Sequence, residues 1–323
     1  MNVNIPQKQE YNPIVSVIIP TYNREQFIGE AIRSVLGQSF TNFEVIVVDD
    51  GSSDNTKEVI KIFKDPRVYY YYQENKGRAS ARNYAILLSR GKYITFLDSD
   101  DLYISSKLEL QVNYLDSHPN VSMIYTSANC IDEVGNFLKH RYNASSSGYL
   151  YQEIAFFVPL TITLPTVMVR KEVFDHVGYF DEKMHRFEDT DMWRRISKIY
   201  EIDAIPIYSC HLRTHKDNEL LTQDPQVIES ALKYYSEKIF HEDNEFDLEL
   251  RKHGIAKMYR YYGYALISIQ QFQDTGKKFL KIADTFHSQR ISWFRLVVRF
   301  VYYRSLHLIY KSYCQFRKYI KRK

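Results

Sequence analysis

Residues 95–101 read TFLDSDD, with Asp98, Asp100 and Asp101 crowded at the end of an apolar run. Neighbouring carboxylates repel and raise one another's pKa unless a cation neutralises them. A hard divalent ion, Mg2+ or Mn2+, takes oxygen ligands and commonly bridges protein carboxylates to phosphates. Asp98 and Asp100 are two apart, so extended backbone would point both the same way. A bare D-x-D often arises by chance, however. A polar turn, or an acidic start to the next helix with Asp101 near its N-terminus, accounts for the same residues without a ligand. A second cluster, HRFEDTDMW (185–193), offers Glu188, Asp189 and Asp191. It suits either a general base or a helix N-terminus, where acids interact well with the dipole.

The elements that must position these groups alternate in period. Short β-branched or aromatic runs occur at 15–20 (VSVIIP), 43–50 (FEVIVVDD), 68–72 (VYYYY), 92–98 (KYITFLD) and 121–128 (VSMIYTSA). Helical patterns at 25–38, 56–64, 78–90 and 106–118 separate them; in the first, Phe27, Ile28, Ala31, Ile32, Val35 and Leu36 share a face. Strand, helix, strand at this spacing predicts right-handed crossovers, hence an α/β domain with a mostly parallel sheet covered on both faces. PTYNR, DDGSSD, QENKGRAS and DSDD follow the first four strands. Ligands of open parallel sheets bind beyond the carboxyl ends of the strands, so four polar clusters on that edge predict a ligand site. Further on, 166–174 reads as a strand running into a helix and 202–218 as a strand followed by a polar loop. From about 225 the pattern is helical, with a helix, turn and helix over 258–286 centred on Asp274-Thr275-Gly276.

VSVIIPTYNREQFIGEAIRSVLGQSFTNFEVIVVDDGSSDNT, then NKGRASARNYAI, then GKYITFLDSDD, resemble in content and order the family 2 glycosyltransferases, which have the GT-A fold. The resemblance covers roughly residues 14–217. It implies a nucleotide-sugar donor, usually a UDP-sugar, a divalent cation (Mn2+ or Mg2+), and transfer of a hexosyl or N-acetylhexosaminyl group with inversion. By matching motif, Pro20, Thr21 and Tyr22 resemble the loop beside the nucleoside. Asp50 resembles the carboxylate that accepts from the base, and Gly77 and Arg82 the segment that closes over the nucleotide. Asp98, Ser99 and Asp100 would flank the diphosphate, with Asp100 the better metal ligand. Asp189 resembles the base that deprotonates the acceptor hydroxyl. His215, in LRTHKDN, matches a YRxH segment in which leucine here replaces tyrosine; it would supplement Asp98 and Asp100 on metal or diphosphate, with His211 a nearby alternative.

Charge is unevenly spread. The net value is +4, yet residues 290–323 hold ten of the 43 Lys and Arg and no acid, leaving 33 cations against 39 anions before them. On a helix, that segment would set cations around an apolar stripe with Trp293, Phe294, Val297 and Val301. It suits the headgroup layer of an anionic membrane or packing on the protein; nucleic acid is the least favoured partner. Three scattered cysteines, Cys130, Cys210 and Cys314, suit a reducing cytosol. The first residues lack a signal-peptide layout and no run is long enough to span a bilayer.

The sequence thus predicts an N-terminal arm (1–13), a GT-A catalytic domain (14–218), a helical extension (219–289) and a basic amphipathic helical segment (290–323). The expected protein is a cytoplasmic glycosyltransferase, peripheral on the inner membrane face, that extends a glycan or lipid-linked acceptor. A non-catalytic nucleotide-sugar-binding scaffold of the same fold is the alternative. A nucleotidyltransferase would more typically carry a glycine-rich basic loop after the first strand, and PTYNR is not one.

Overall fold

The computed structural model describes residues 12–156, 162–215 and 225–287. The basic segment 290–323 and most of the N-terminal arm lie outside the described residues. The backbone divides into two compact units, one holding residues 12–151 and 162–215, the other 152–156 and 225–287.

The first unit is built on one sheet. Its opening strands are β1 (Val15–Thr21), β2 (Phe43–Asp50), β3 (Val68–Gln73) and β4 (Tyr93–Phe96), joined by helices α1 (Ile28–Leu36), α2 (Thr56–Lys61) and α3 (Arg78–Leu88). Next come β5 (Leu102–Tyr103), α4 (Lys107–Ser117), β6 (Val121–Ile131) and β7 (Phe137–Tyr142). Short α5 (Tyr151–Ala155) falls where the backbone passes between units. β8 (Val167–Arg170), α6 (Glu172–Val177), α7 (Glu188–Ser197) and β9 (Glu201–Arg213) complete the unit.

The nine strands run in the order β3-β2-β1-β4-β8-β6-β9-β5, with β7 paired to β6. β1, β2, β3 and β4 pair in parallel, as do β6 and β9. β8 is antiparallel to both β4 and β6, so β6 and β9 point the same way as β1–β4. Six of the nine therefore share one direction; β5, β7 and β8 oppose them. β1 and β2 are buried along their whole length, as a sheet covered on both faces requires. Ile28, Ala31, Ile32 and Val35 of α1 join Val15, Val17, Ile19, Val45 and Val47 in the core.

This direction sets the site. The carboxyl ends of β1, β2, β3, β4, β6 and β9 fall on one edge, and so do Thr21, Asp50, Gln73, the Asp98–Asp101 turn and Arg213. The DSDD run is not extended, contrary to the sequence expectation. β4 stops at Phe96, and the Asp101 N–H donates back to the Asp98 carbonyl (3.0 Å), which turns the two aspartates onto different partners. Nor does Asp101 open a helix: β5 intervenes and α4 starts at Lys107.

The second unit carries α8 (Pro225–Glu242), α9 (Leu248–Ile267) and α10 (Gln273–Phe286). The turn expected around Asp274-Thr275-Gly276 lies earlier, at residues 268–272, and Gly276 is inside α10. Its role is contact rather than turning. A Cβ there would sit 2.6 Å from the Gly263 carbonyl oxygen of α9, so the two helices cross where neither has a side chain. Among the described residues, no helix is long and apolar enough to cross a membrane.

Candidate active site

At the carboxyl ends of β1, β2 and β3 the loops are cross-bonded. Asp50, the last residue of β2 and 4 % exposed, accepts from Gln73 Nε2 (2.7 Å) and the Lys76 N–H (2.9 Å) through Oδ1, and from the Gly77 N–H (2.8 Å) through Oδ2. The carboxylate thus fixes the loop between β3 and α3, and its lone pairs leave room for one further donor. Gly77 turns that loop into α3 with φ +91°, and a Cβ there would meet nothing within 4 Å. The space above it is open to a ligand. Thr21, at the end of β1, is buried with its hydroxyl unsatisfied, a cost that proteins rarely carry without a reason. Beside it, Tyr22 is half exposed and follows Pro20, which is buried within β1. The PTYNR loop is pinned across to the turn after β2: the Asn23 N–H donates to Ser52 Oγ and the Arg24 N–H to Thr56 Oγ1, both at 2.9 Å.

The two acidic clusters are joined by one side chain. Arg82, on α3 and 2 % exposed, donates through Nη1 to Glu188 Oε1 (2.8 Å) and through Nη2 to Asp98 Oδ1 (3.0 Å). It is not a surface ion pair, and its Nε is buried without a hydrogen-bond partner. Arg78 Nε adds a 3.5 Å contact to Glu188. Burial pushes Asp98 up and Asp100 adds to that, against the pull of Arg82. Burial pushes Glu188 up too, but Arg78 and Arg82 outweigh it and hold the carboxyl below its ordinary value.

Asp189 is the second residue of α7, which Glu188 opens after Phe187 in the left-handed region at φ +65°. Its Oδ1 accepts from the Thr190 N–H (2.7 Å) and hydroxyl (3.3 Å). Burial, then the adjacent Glu188 charge, push its pKa up to about 6. Asp100 faces the other way, with Oδ2 2.9 Å from His215 Nε2 and 3.7 Å from Arg24 Nε. Ser99, between the aspartates, is buried. Asp101, pushed well up by burial and by Asp100 and Asp98, accepts the Arg213 N–H at 2.8 Å.

The structure therefore brings Asp100 and His215 together, and Asp98, Arg82, Glu188 and Asp189 together. Among the described residues, no three His, Cys, Asp or Glu side chains converge as a ready-made metal cage. A site completed by substrate phosphates does not need one, since Mg2+-type ions commonly take one or two protein carboxylates. His211 lies within β9, opposite Leu102 of β5; its Nδ1 is buried without a partner and burial lowers its pKa. Arg24, Arg78 and Arg213 went unnoticed in the sequence. A lone arginine carries no period, and only the fold reveals the carboxylate opposite.

The first unit is thus a mostly parallel α/β sheet with carboxylates ranged along its strand ends. The Glycosyl transferase family 2 model matches residues 16–178, and the chain belongs to that family. An uncharacterized glycosyltransferase of Methanocaldococcus jannaschii is 34% identical over 235 residues, covering 70% of this chain and 79% of that one. One from Rickettsia bellii is 42% identical over 205 residues, 63% of this chain and 29% of its own length. The chain spans about a third of the length of this relative and of similar ones from Rickettsia conorii and Rickettsia felis. The Escherichia coli UDP-Glc:alpha-D-GlcNAc-diphosphoundecaprenol beta-1,3-glucosyltransferase WfgD is 42% identical over 129 residues, 39% of this chain and 51% of that one. Among solved structures, S. aureus TarS 1-349 in complex with UDP-GlcNAc matches with TM-score 0.65 at 21% identity, covering 85% of this chain and 82% of that one. At that identity the likeness is one of fold: GT-A.

Proposed function

We propose that this chain is an inverting glycosyltransferase that moves a sugar from a nucleotide-sugar, a UDP-sugar first, to a hydroxyl of a glycan or lipid-linked acceptor. The observation that carries the reading is the Arg82 bridge. It holds Asp98, the proposed donor-side carboxylate, and Glu188, the neighbour of the candidate base, on one guanidinium, which supports a single site for base and donor. The E. coli relative's name, with its UDP-glucose donor and lipid-linked acceptor, and the UDP and UDP-GlcNAc complexes of TarS support the donor class.

In this reading Thr21, Tyr22, Asp50 and Gly77 receive the nucleoside, and the unsatisfied Thr21 hydroxyl gains a partner. Asp189 takes the acceptor proton as its oxygen attacks the anomeric carbon; a single displacement with one base inverts that centre. Asp100 and His215, with Asp98, are the residues to hold a Mn2+ or Mg2+ ion, which would offset charge on the departing diphosphate. Arg82, with Arg78, keeps Glu188 ionised and fixed beside Asp189, whose raised pKa comes from burial first and then from the Glu188 charge, against the pull of the two arginines. The basic segment 290–323 is proposed to meet the anionic inner face of a membrane, where lipid-linked acceptors lie.

The test is calorimetry with UDP, GDP, dTDP, CDP and ADP, in Mn2+ and then in chelator. The expected result is metal-dependent binding of one nucleotide, lost in Asp100→Ala. A folded protein that binds none of them would overturn the donor reading.

A further inference from the structure

β9 ends in an arginine with every arm engaged. Arg213 is 2 % exposed. Its Nε donates to the Asp100 carbonyl (2.9 Å), Nη1 to the Glu133 carbonyl (2.7 Å) and Nη2 to Glu30 Oε2 (2.6 Å). Its own N–H donates to the Asp101 carboxylate (2.8 Å). The guanidinium lies over the Phe27 ring, 5.2 Å from the centroid, and the other neighbour of that ring is His215, at 5.0 Å. The loop before α1 and α1 itself, the turn after β4, the turn after β6 and the end of β9 thus meet on one side chain.

These bonds have a direction. Two go to main-chain carbonyls, which an arginine fork can span and a lysine ammonium cannot in the same geometry. One of those carbonyls belongs to Asp100, and two residues beyond Arg213 the chain delivers His215, with Nε2 2.9 Å from the Asp100 carboxylate. The nucleoside end has separate supports, since the donors to Asp50 are Gln73, Lys76 and Gly77.

We infer, on the strength of the donor reading above, that Arg213 is a positioning residue that holds Asp100 and His215 in the arrangement which takes the donor's diphosphate and its cation. It governs the phosphate end of the donor and leaves the nucleoside end alone. Arginine is required because the turn carrying Asp100 has to be held by its backbone, leaving the carboxylate free for the ligand and for His215.

The experiment compares UMP and UDP binding by calorimetry in Mn2+ for the full chain, Arg213→Lys, Glu30→Gln, His215→Ala and the double variant Arg213→Lys/His215→Ala. Partners behind a metal ligand typically contribute about ten- to a hundredfold in affinity. UDP is therefore expected to weaken by roughly that factor in Arg213→Lys and by a few-fold in Glu30→Gln, with UMP changed less than about twofold. The double variant should bind UDP about as well as its weaker parent, because residues that act through one arrangement are not additive. Unchanged UDP binding in Arg213→Lys, equal losses of UMP and UDP, or additive losses in the double variant would each overturn the inference. If Arg213→Lys fails to fold, Glu30→Gln decides alone: a selective UDP loss supports the inference and its absence rejects it. An unaltered protein that binds neither nucleotide overturns the donor reading itself, which is a distinct result from lost selectivity.

Discussion

As the proposed base, Asp189 would have to be ionised to take a proton, and its surroundings resist that. Burial and Glu188 push its pKa up to about 6, so turnover at saturating substrate should fall as pH drops through 6, on the side where the base is protonated. The same shift acts on stability in the opposite sense. The folded state holds the Asp189 proton above the ordinary carboxylate range, so this group's contribution to stability declines as pH rises from about 4 to 6. Asp189→Asn should lower turnover by about a hundredfold or more while UDP affinity stays within about twofold, and the acid limb of the pH profile should vanish. A parallel loss of affinity would remove the base assignment. Asp189 was legible in sequence as one of three acids before a helix, with its role implied by the family motif. Arg82 was legible as part of NKGRASARN, but not as a bridge: the sequence holds no sign that residues 82, 98 and 188 meet.

At the scale of elements, the loop from β3 to α3 shows what a single carboxylate can hold. Asp50 orders it through three donors, and Gly77 supplies a φ of +91° that L side chains avoid. Gly77→Ala should cost about 1–3 kcal/mol and weaken nucleotide binding, although a methyl group there meets no atom. A variant with unchanged melting temperature and nucleotide affinity would count against this account of the loop. The parallel βα run was legible because its strands are nearly continuous in apolar residues and its helices keep a 3.6 period. The hairpin of β6 and β7 was not, since β7 reads FLKHRY and is exposed along most of its length, which leaves no buried alternation to find. The α9–α10 turn was misplaced for a related reason. Glycine marks both a break and a close crossing, and only the facing helix tells them apart.

At the scale of the whole molecule, the least expected charge is Lys107. It is fully buried on α4, where Nζ donates to Thr95 Oγ1 (3.1 Å), to Gln111 Oε1 and to the Val167 carbonyl (3.4 Å). Burial takes its pKa down to about 7. An unfolded lysine keeps its proton to about pH 10, so between 7 and 10 the unfolded state binds more protons and stability should rise with pH. Lys107→Met should flatten that rise in denaturant melts at pH 7 and 9.5; an unchanged slope would mean that Lys107 is not its source. Removing residues from Arg290 onward should loosen binding to anionic vesicles without lowering turnover on a soluble acceptor, and unchanged vesicle binding would reject the membrane proposal for that segment. The bridge of Arg82 also bears on how the chain is made. It reaches 16 residues forward to Asp98 and 106 forward to Glu188. On a ribosome adding about 5–20 residues per second, the arginine and its first partner emerge seconds before the second. On the proposed reading, a nascent chain ending after β6 would lack Glu188 and Asp189 as well as Arg213 and His215, and so would have neither the candidate base nor the complete diphosphate end. Competence to transfer would come only once more than half of the polypeptide exists.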